Sequence, residues 1–286
     1  MQTKLLLVHA LSPLHAGTGQ GVGVIDLPIA REKATDIPFL PGSSIKGVLR
    51  DACPDDKKVA VFGPETANAA DHAGSAQFTD ARLLLLPVRS LAGTFAWVTS
   101  PLLLRRFLRD AGSAKDLKPP SNVPQPSGET GCVVSTEGCG LLLQHQGHRS
   151  VVLEDLSLTP NQDADAKSWA DWLGGHLFPG DPFWPVALKA RLCIVHDDVL
   201  SFLLQTATEI TARIRLDDDK KTVAKGALWY EEALPAETVL TSLVIASPVK
   251  ADATEVFTTI GDLAKNALQF GGNATVGRGL CRLRLI

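Results

Sequence analysis

Short apolar runs that read as strands alternate along this chain with stretches of helical period, and no other feature restricts the fold as strongly. Residues 3–10 predict a buried strand. Residues 11–23 are a glycine-rich loop, 24–29 an extended segment, and 38–42 a turn. Ser43 or Ser44 then caps a helix running to about Asp51. Residues 77–88 and 94–98 predict strands, and Pro101 sits in the first turn of a helix reaching Leu108. A strand at 150–156 precedes a short helix, 165–173, stopped by Gly174 and Gly175. A strand at 190–195 and a helix at 198–207 come next. Residues 210–216 and 227–231 flank a charged turn, 217–221, and read as a hairpin. A strand at 238–247, an amphipathic helix at 254–270 and a last strand at 280–286 complete the chain.

This interleaving, with hairpins between, suits an α+β fold of the split-βαβ, ferredoxin-like type with insertions. The 286 residues, 45% hydrophobic, can build a proper core, and they read as one domain, 1–286. Residues 111–130 are rich in Gly, Ser, Pro and Lys and predict an exposed insertion or mobile loop. A net charge of −3 excludes a surface basic all round, so any polynucleotide must meet a local stripe of Lys and Arg. The apolar run Leu5-Leu6-Leu7-Val8 is too short for a signal peptide or a spanning helix, and no other stretch approaches membrane length. Five irregularly spaced cysteines predict free thiols in a reducing compartment. A soluble cytoplasmic protein without membrane partners is the expectation.

Four constellations carry possible chemistry. In the first, Gly17, Gly19, Gly21 and Gly23 alternate just ahead of an extended segment. No dinucleotide or P-loop frame fits, because that extended segment stands where those frames need a helix. The glycines make either a tight turn or a close approach of backbone to a ligand. Asp26 falls on the opposite face of the segment from Ile25, Leu27 and Ile29. On the residues alone a salt bridge to Arg31 is the better reading. The functional reading is a carboxylate that binds hydrated Mg²⁺ or orients a nucleophile near a phosphate, with His15 close enough in sequence to assist a proton transfer.

In the second, Gly42, Ser43 and Ser44 place backbone donors and hydroxyls at a helix start, an anion site by geometry. Lys46 and Arg50, four apart, repel each other unless an anion lies between them. In the third, Gly272, Gly277 and Gly279 surround Arg278, so backbone donors and a guanidinium can meet one oxyanion, unless this is an ordinary loop with a glycine cap. In the fourth, Arg213 and Arg215 share a hairpin face, and Trp229 and Tyr230 offer stacking surface for bases; a solvated hairpin with core aromatics is the plainer account. Arg105, Arg106 and Arg109 make a further basic helix face, read mostly as surface.

Taken together these segments resemble the RAMP superfamily of CRISPR proteins, and within it the repeated, target-cleaving backbone subunit of type III-B (Cmr) effector complexes. The resemblance rests on Leu14-His15-Ala16-Gly17, Gly23-Val24-Ile25-Asp26-Leu27-Pro28-Ile29 and Arg31-Glu32-Lys33. It continues through Pro41-Gly42-Ser43-Ser44-Ile45-Lys46-Gly47-Val48-Leu49-Arg50, Asp80-Ala81-Arg82, Trp97-Val98-Thr99-Ser100-Pro101 and Gly226-Ala227-Leu228-Trp229-Tyr230-Glu231-Glu232, and ends in the last glycine loop. It implies an RRM-like core and a projecting β-hairpin thumb, placed at 209–232. It also implies partners: a CRISPR guide RNA, a single-stranded target RNA, further copies of the chain and other Cmr subunits. The matching positions make Asp26 the key acid and metal ligand, with Mg²⁺ as cofactor. His15, Tyr230, Glu231 and Glu232 become supporting catalytic groups, and Lys46 and Arg50 guide-backbone contacts. Two other readings stand beside this one. The chain is then a non-catalytic guide-binding subunit, or an unrelated enzyme that cradles a small phosphate ligand in its glycine loops.

Overall fold

The computed structural model describes residues 1–19, 21, 25–68, 70–114, 116–216 and 223–286. In chain order the elements are β1 (Gln2–Ala10), β2 (Phe39–Leu40), α1 (Gly42–Ala52), α2 (Asp55–Phe62), β3 (Ala76–Phe78), β4 (Ala81–Arg89), β5 (Phe95–Thr99), α3 (Pro101–Ala111), β6 (Gly131–Ser135), β7 (Leu143–His145) and β8 (His148–Leu153). They continue as β9 (Leu156–Asp163), α4 (Ala164–Leu177), α5 (Trp184–Arg191), β10 (Leu192–Val195), α6 (Asp197–Thr206), β11 (Glu209–Leu216), β12 (Val223–Ala233), β13 (Val239–Ala246), α7 (Ala253–Leu263), β14 (Ala267–Gln269) and β15 (Leu280–Leu285).

The expected α+β core is present. The order β1-α1-β4 followed by β13-α7-β15 is a split βαβ pair, and its strands lie side by side as β15-β1-β13-β4. All three neighbouring pairs in that set are antiparallel. The insertion falls between β4 and β13. It extends the same sheet through β5, β10, β6, β9, β8 and β7.

Helices cover both faces, so central strands must be apolar on both sides. In β1, Leu6 and Val8 join the core under α1, α2, α6 and α7, while Leu5 and Leu7 join a second core with Trp97, Phe107 and Trp169. Each fully buried Leu or Val contributes about 1.5–3 kcal/mol by leaving water. β11 and β12 stand as a separate two-stranded sheet, at the position expected for the hairpin. Its charged turn, 217–221, and Gln20, Val22, Gly23 and Val24 of the first glycine segment lie outside the described residues.

Several local expectations change. The strand expected at 77–88 breaks at Thr79 and Asp80 into β3 and β4, which pair with separate stretches of the same neighbour, β13. Gly174 and Gly175 do not stop α4. A Cβ at Gly174 would meet Pro185 of α5 at 3.0 Å, so the small residue serves helix–helix approach instead. α5 had no anticipated counterpart, and α7 ends at Leu263 because residues 267–269 pair with β15. The 111–130 segment is partly packed: Leu117 and Val123 lie on the second core, and the Trp169 indole donates to the Asn122 carbonyl (2.7 Å).

Candidate nucleic-acid interface

The Asp26 segment runs beside the base of the hairpin and is stitched to β12. The Leu27 N–H donates to the Tyr230 carbonyl (3.0 Å), and the Glu232 N–H donates to the Leu27 carbonyl (3.0 Å). The register brings the Tyr230 N–H to Asp26 Oδ2 at 2.8 Å. Asp26 is exposed, and among the described residues this is the one hydrogen bond of its carboxylate. The salt bridge to Arg31 favoured on sequence does not form. Arg31 is drawn instead to Glu232 Oε1 (2.5 Å), the Leu204 carbonyl (2.9 Å) and Asp36 (3.8 Å).

Glu231 and Glu232 point to opposite faces of β12, and both are buried. Glu232 takes the Ile29 N–H (3.1 Å), the Arg31 guanidinium and the Thr208 hydroxyl (3.0 Å). Glu231 takes the Trp229 indole (2.9 Å), Arg213 (3.2 Å) and the Asn273 amide (3.0 Å). Burial alone would raise the Glu231 carboxyl, but the Trp229 and Arg213 hydrogen bonds and the positive charges of Arg213 and Arg278 together hold it below the usual glutamate range. Both acids are committed to internal partners, so neither stands beside Asp26 as a second exposed carboxylate. His15 is 7% exposed, and its Nδ1 meets the Glu232 carbonyl at 2.6 Å. A carbonyl only accepts, so Nδ1 carries the proton and a neutral ring keeps its lone pair on Nε2. That nitrogen lies over Gly17, where a Cβ would sit 2.6 Å away.

The helix-start anion site is partly taken from within the chain. Asp80 Oδ1 accepts the Gly42 N–H at 2.8 Å, and the cap lies at Pro41 rather than at Ser43 or Ser44. The Ser44 N–H donates to the Pro41 carbonyl (2.9 Å), and Ser43 is exposed. An aspartate interrupting an apolar strand was the available signal for this break. The repulsion between Lys46 and Arg50 is relieved from within the chain: Arg50 donates to the Gly63 carbonyl and pairs with Glu65 (2.9 Å). Lys46 forms no salt bridge among the described residues. It lines an open cleft of about 440 Å³ with Gly63, His72, Gly74 and Gln77.

The last glycine loop does not form the expected oxyanion cradle. The N–H groups of Gly272, Gly277, Arg278 and Gly279 donate to the carbonyls of His15 (2.9 Å), Ala274 (3.0 Å), Asn273 (3.3 Å) and Pro13 (2.8 Å). Arg278 is 4% exposed and turned onto Glu209 (3.1 Å) and Thr211 (2.9 Å) of β11. This closes one of the glycine loops on which the small-phosphate reading depended.

The hairpin has two unlike faces. Arg213 lies opposite Trp229, and Arg215, two residues on, is exposed. Ala212 lies opposite Tyr230 and Ile214 opposite Leu228, so Trp229 and Tyr230 do not form one stacking platform. Ile210, Ile214, Leu228 and Tyr230 leave an apolar face largely in solvent. The α3 arginines are less free than expected, because Arg106 grips Glu32 through two hydrogen bonds, at 2.8 and 2.9 Å.

Among the described residues no three His, Cys, Asp or Glu side chains converge on a metal, and no helix is long and apolar enough to cross a membrane. The five cysteines are free thiols.

Comparison with known proteins places this geometry. The family model described as the RAMP superfamily matches residues 7–282. The CRISPR system Cmr endoribonuclease Cmr4 of Pyrococcus furiosus is 34% identical over 299 residues, covering 100% of this chain and 96% of that protein. The crystal structure of oligomeric Cmr4 from the same organism has a TM-score of 0.75 at 28% identity, covering 100% of this chain and 98% of that one. A type III-B Cmr-beta complex bound to cognate target RNA contains a chain of the same fold, with a TM-score of 0.73 at 22% identity and 97% coverage of that chain. With the split-βαβ core, the inserted hairpin and a family match spanning both, the chain belongs to the RAMP superfamily of CRISPR proteins.

Proposed function

We propose that the chain is the repeated backbone subunit of a type III-B CRISPR effector complex. In this reading copies of it line a guide RNA together with other Cmr subunits and cut a paired single-stranded target RNA at regular intervals. One observation carries the proposal: the exposed Asp26 carboxylate, oriented by a backbone N–H at the root of the hairpin. Full-length kinship to the Pyrococcus furiosus endoribonuclease supports it. The free thiols suit a reducing cytoplasm.

The chemistry asks little of the protein, because RNA carries its own nucleophile. The apolar hairpin face can wedge between neighbouring bases and splay one nucleotide, which frees its sugar to turn. The 2′-oxygen then bonds to the adjacent phosphorus in line with the departing 5′-oxygen, and the P–O5′ bond breaks, leaving a 2′,3′-cyclic phosphate and a 5′-oxygen that takes a proton from water. With Oδ2 tied to Tyr230, Asp26 has Oδ1 left to orient the attacking hydroxyl and draw its proton. Among the described residues this single carboxylate would hold an Mg²⁺, as a largely hydrated ion that would supply positive charge against the phosphate. Sequence would be read by base pairing and backbone shape by the protein, the division of labour seen in RNA-guided DNA recognition.

The test is target cleavage by the assembled complex carrying Asp26→Asn. The asparagine carbonyl can still accept the Tyr230 N–H, so assembly and guide binding should persist while cutting falls roughly 10²–10³-fold. Undiminished cutting by an intact complex would leave a backbone subunit without the catalytic role.

A further inference from the structure

Arg278 joins two regions that the mechanism treats separately. It lies in the loop between β14 and β15, where Gly277 and Gly279 adopt φ of 84° and 77°. Its side chain turns away from solvent onto both hairpin strands. Nη2 meets Glu209 Oε1 at 3.1 Å and donates to Thr211 Oγ1 at 2.9 Å on β11, and Nε lies 3.9 Å from Glu231 Oε2 on β12. Asn273 of the same loop donates to that Glu231 oxygen at 3.0 Å. From Glu231 the covalent path to the Tyr230 N–H that holds Asp26 is one residue long. On the other side, the loop is fastened to the His15 segment by the Gly272 and Gly279 N–H groups.

The hairpin needs such a fastening. An isolated two-stranded sheet is marginally stable, and β11–β12 forms its own sheet outside the main one. The fastening is also unfinished. Arg278 Nε and Nη1 are buried without a hydrogen-bond acceptor among the described residues. A movement of the hairpin toward the loop by about 1 Å would bring Nε into charge-assisted hydrogen-bond range of Glu231. A buried donor left unsatisfied costs free energy, so the guanidinium biases the hairpin toward the loop.

We propose that Arg278 is a positioning residue, a staple that sets the angle of the hairpin on the glycine loop and through Tyr230 the aim of the Asp26 carboxylate. This rests on the proposed cleavage role of Asp26. It differs from the expectation that the Arg278 guanidinium reaches an oxyanion, which on an RNA strand is a backbone phosphate.

The two roles separate in the assembled complex. Arg278→Ala and Arg278→Lys are compared with the unaltered chain for guide affinity, its salt dependence, the single-turnover cutting rate at saturating target, and the distribution of cut positions. A staple predicts a rate loss on the order of 10²-fold for alanine. It predicts nearly the same loss for lysine, which cannot span Glu209, Thr211 and Glu231 together. Target KM, guide affinity and salt slope stay unchanged, and the cuts become spread in position. Thr211→Val, a milder removal of one partner, should show the same pattern at smaller size without threatening folding. A phosphate contact predicts the reverse: weaker guide binding, a salt slope lower by about one for alanine, and rescue by lysine. That result, or cutting at the unaltered rate and positions in both Arg278 variants, overturns the proposal. If the unaltered complex fails to cut at all, the cleavage reading itself has failed.

Discussion

Two carboxylates in this molecule accept a backbone N–H at the same distance and do opposite things with it. Asp26 Oδ2 takes the Tyr230 N–H at 2.8 Å, and Asp80 Oδ1 takes the Gly42 N–H at 2.8 Å. At the start of α1 the free N–H was the resource, an electropositive helix end open to an anion. Asp80 consumes it, and the anion it accommodates is the protein's own. At the root of the hairpin the carboxylate is the resource, and the N–H only orients it. Whether an acid–amide contact closes a site or builds one therefore depends on which partner the neighbouring elements leave accessible.

Either carboxylate can be altered without touching the other. Among the variants that keep the charge, the largest effect should come from Asp26→Glu, which displaces the carboxylate by one methylene from the Tyr230 N–H. Cutting by the assembled complex should fall by about 10²-fold; near-full activity would mean that the orienting contact is irrelevant. Next in size, Lys46→Ala should weaken RNA binding evenly across sequences and lower the salt slope by about one. Arg50→Ala, whose charge is already spent on Glu65 and the Gly63 carbonyl, should change that slope less. Equal slopes would show that α1 offers both charges to RNA after all. Asp80→Ala should lower stability by about 1 kcal/mol through the lost cap, seen in thermal denaturation, with cutting unchanged. A loss of cutting would place Asp80 in the working site.

The smallest expected effect concerns Glu231. Its folded value lies below the ordinary 4.5, so its stabilising contribution is complete above that pH and is lost as acidification passes through the folded value. Glu231→Gln should flatten the acid limb of the stability profile measured by pH-dependent unfolding. An identical limb would mean that the Glu231 cluster does not hold the hairpin base.

Much of the scaffold was legible because it is local. The apolar run of β1, the stripe of Ile45, Val48 and Leu49 in α1, and Pro101 behind the Ser100 cap of α3 each specify an element within a few residues. Errors arose where distant pairing overrides local preference. Residues 267–269 continue a helical pattern but pair with β15, and Gly174 resembles a stop signal until Pro185 is seen against it. The site divides in the same way. Asp26 stood out by its period within an apolar segment. That Glu231, Glu232, Arg50 and Arg278 are spent internally depended on ion-pair partners from 15 to 201 positions away.

From sequence alone came most of the element types, the split-βαβ class, the family motifs and the isolation of Asp26, because period and turn chemistry act over a few residues. Tertiary structure alone decided which charges remain free: a carboxylate or guanidinium binds whichever partner folding brings within about 3 Å, and that partner is set by the packing of the sheet and hairpin rather than by neighbours in the chain.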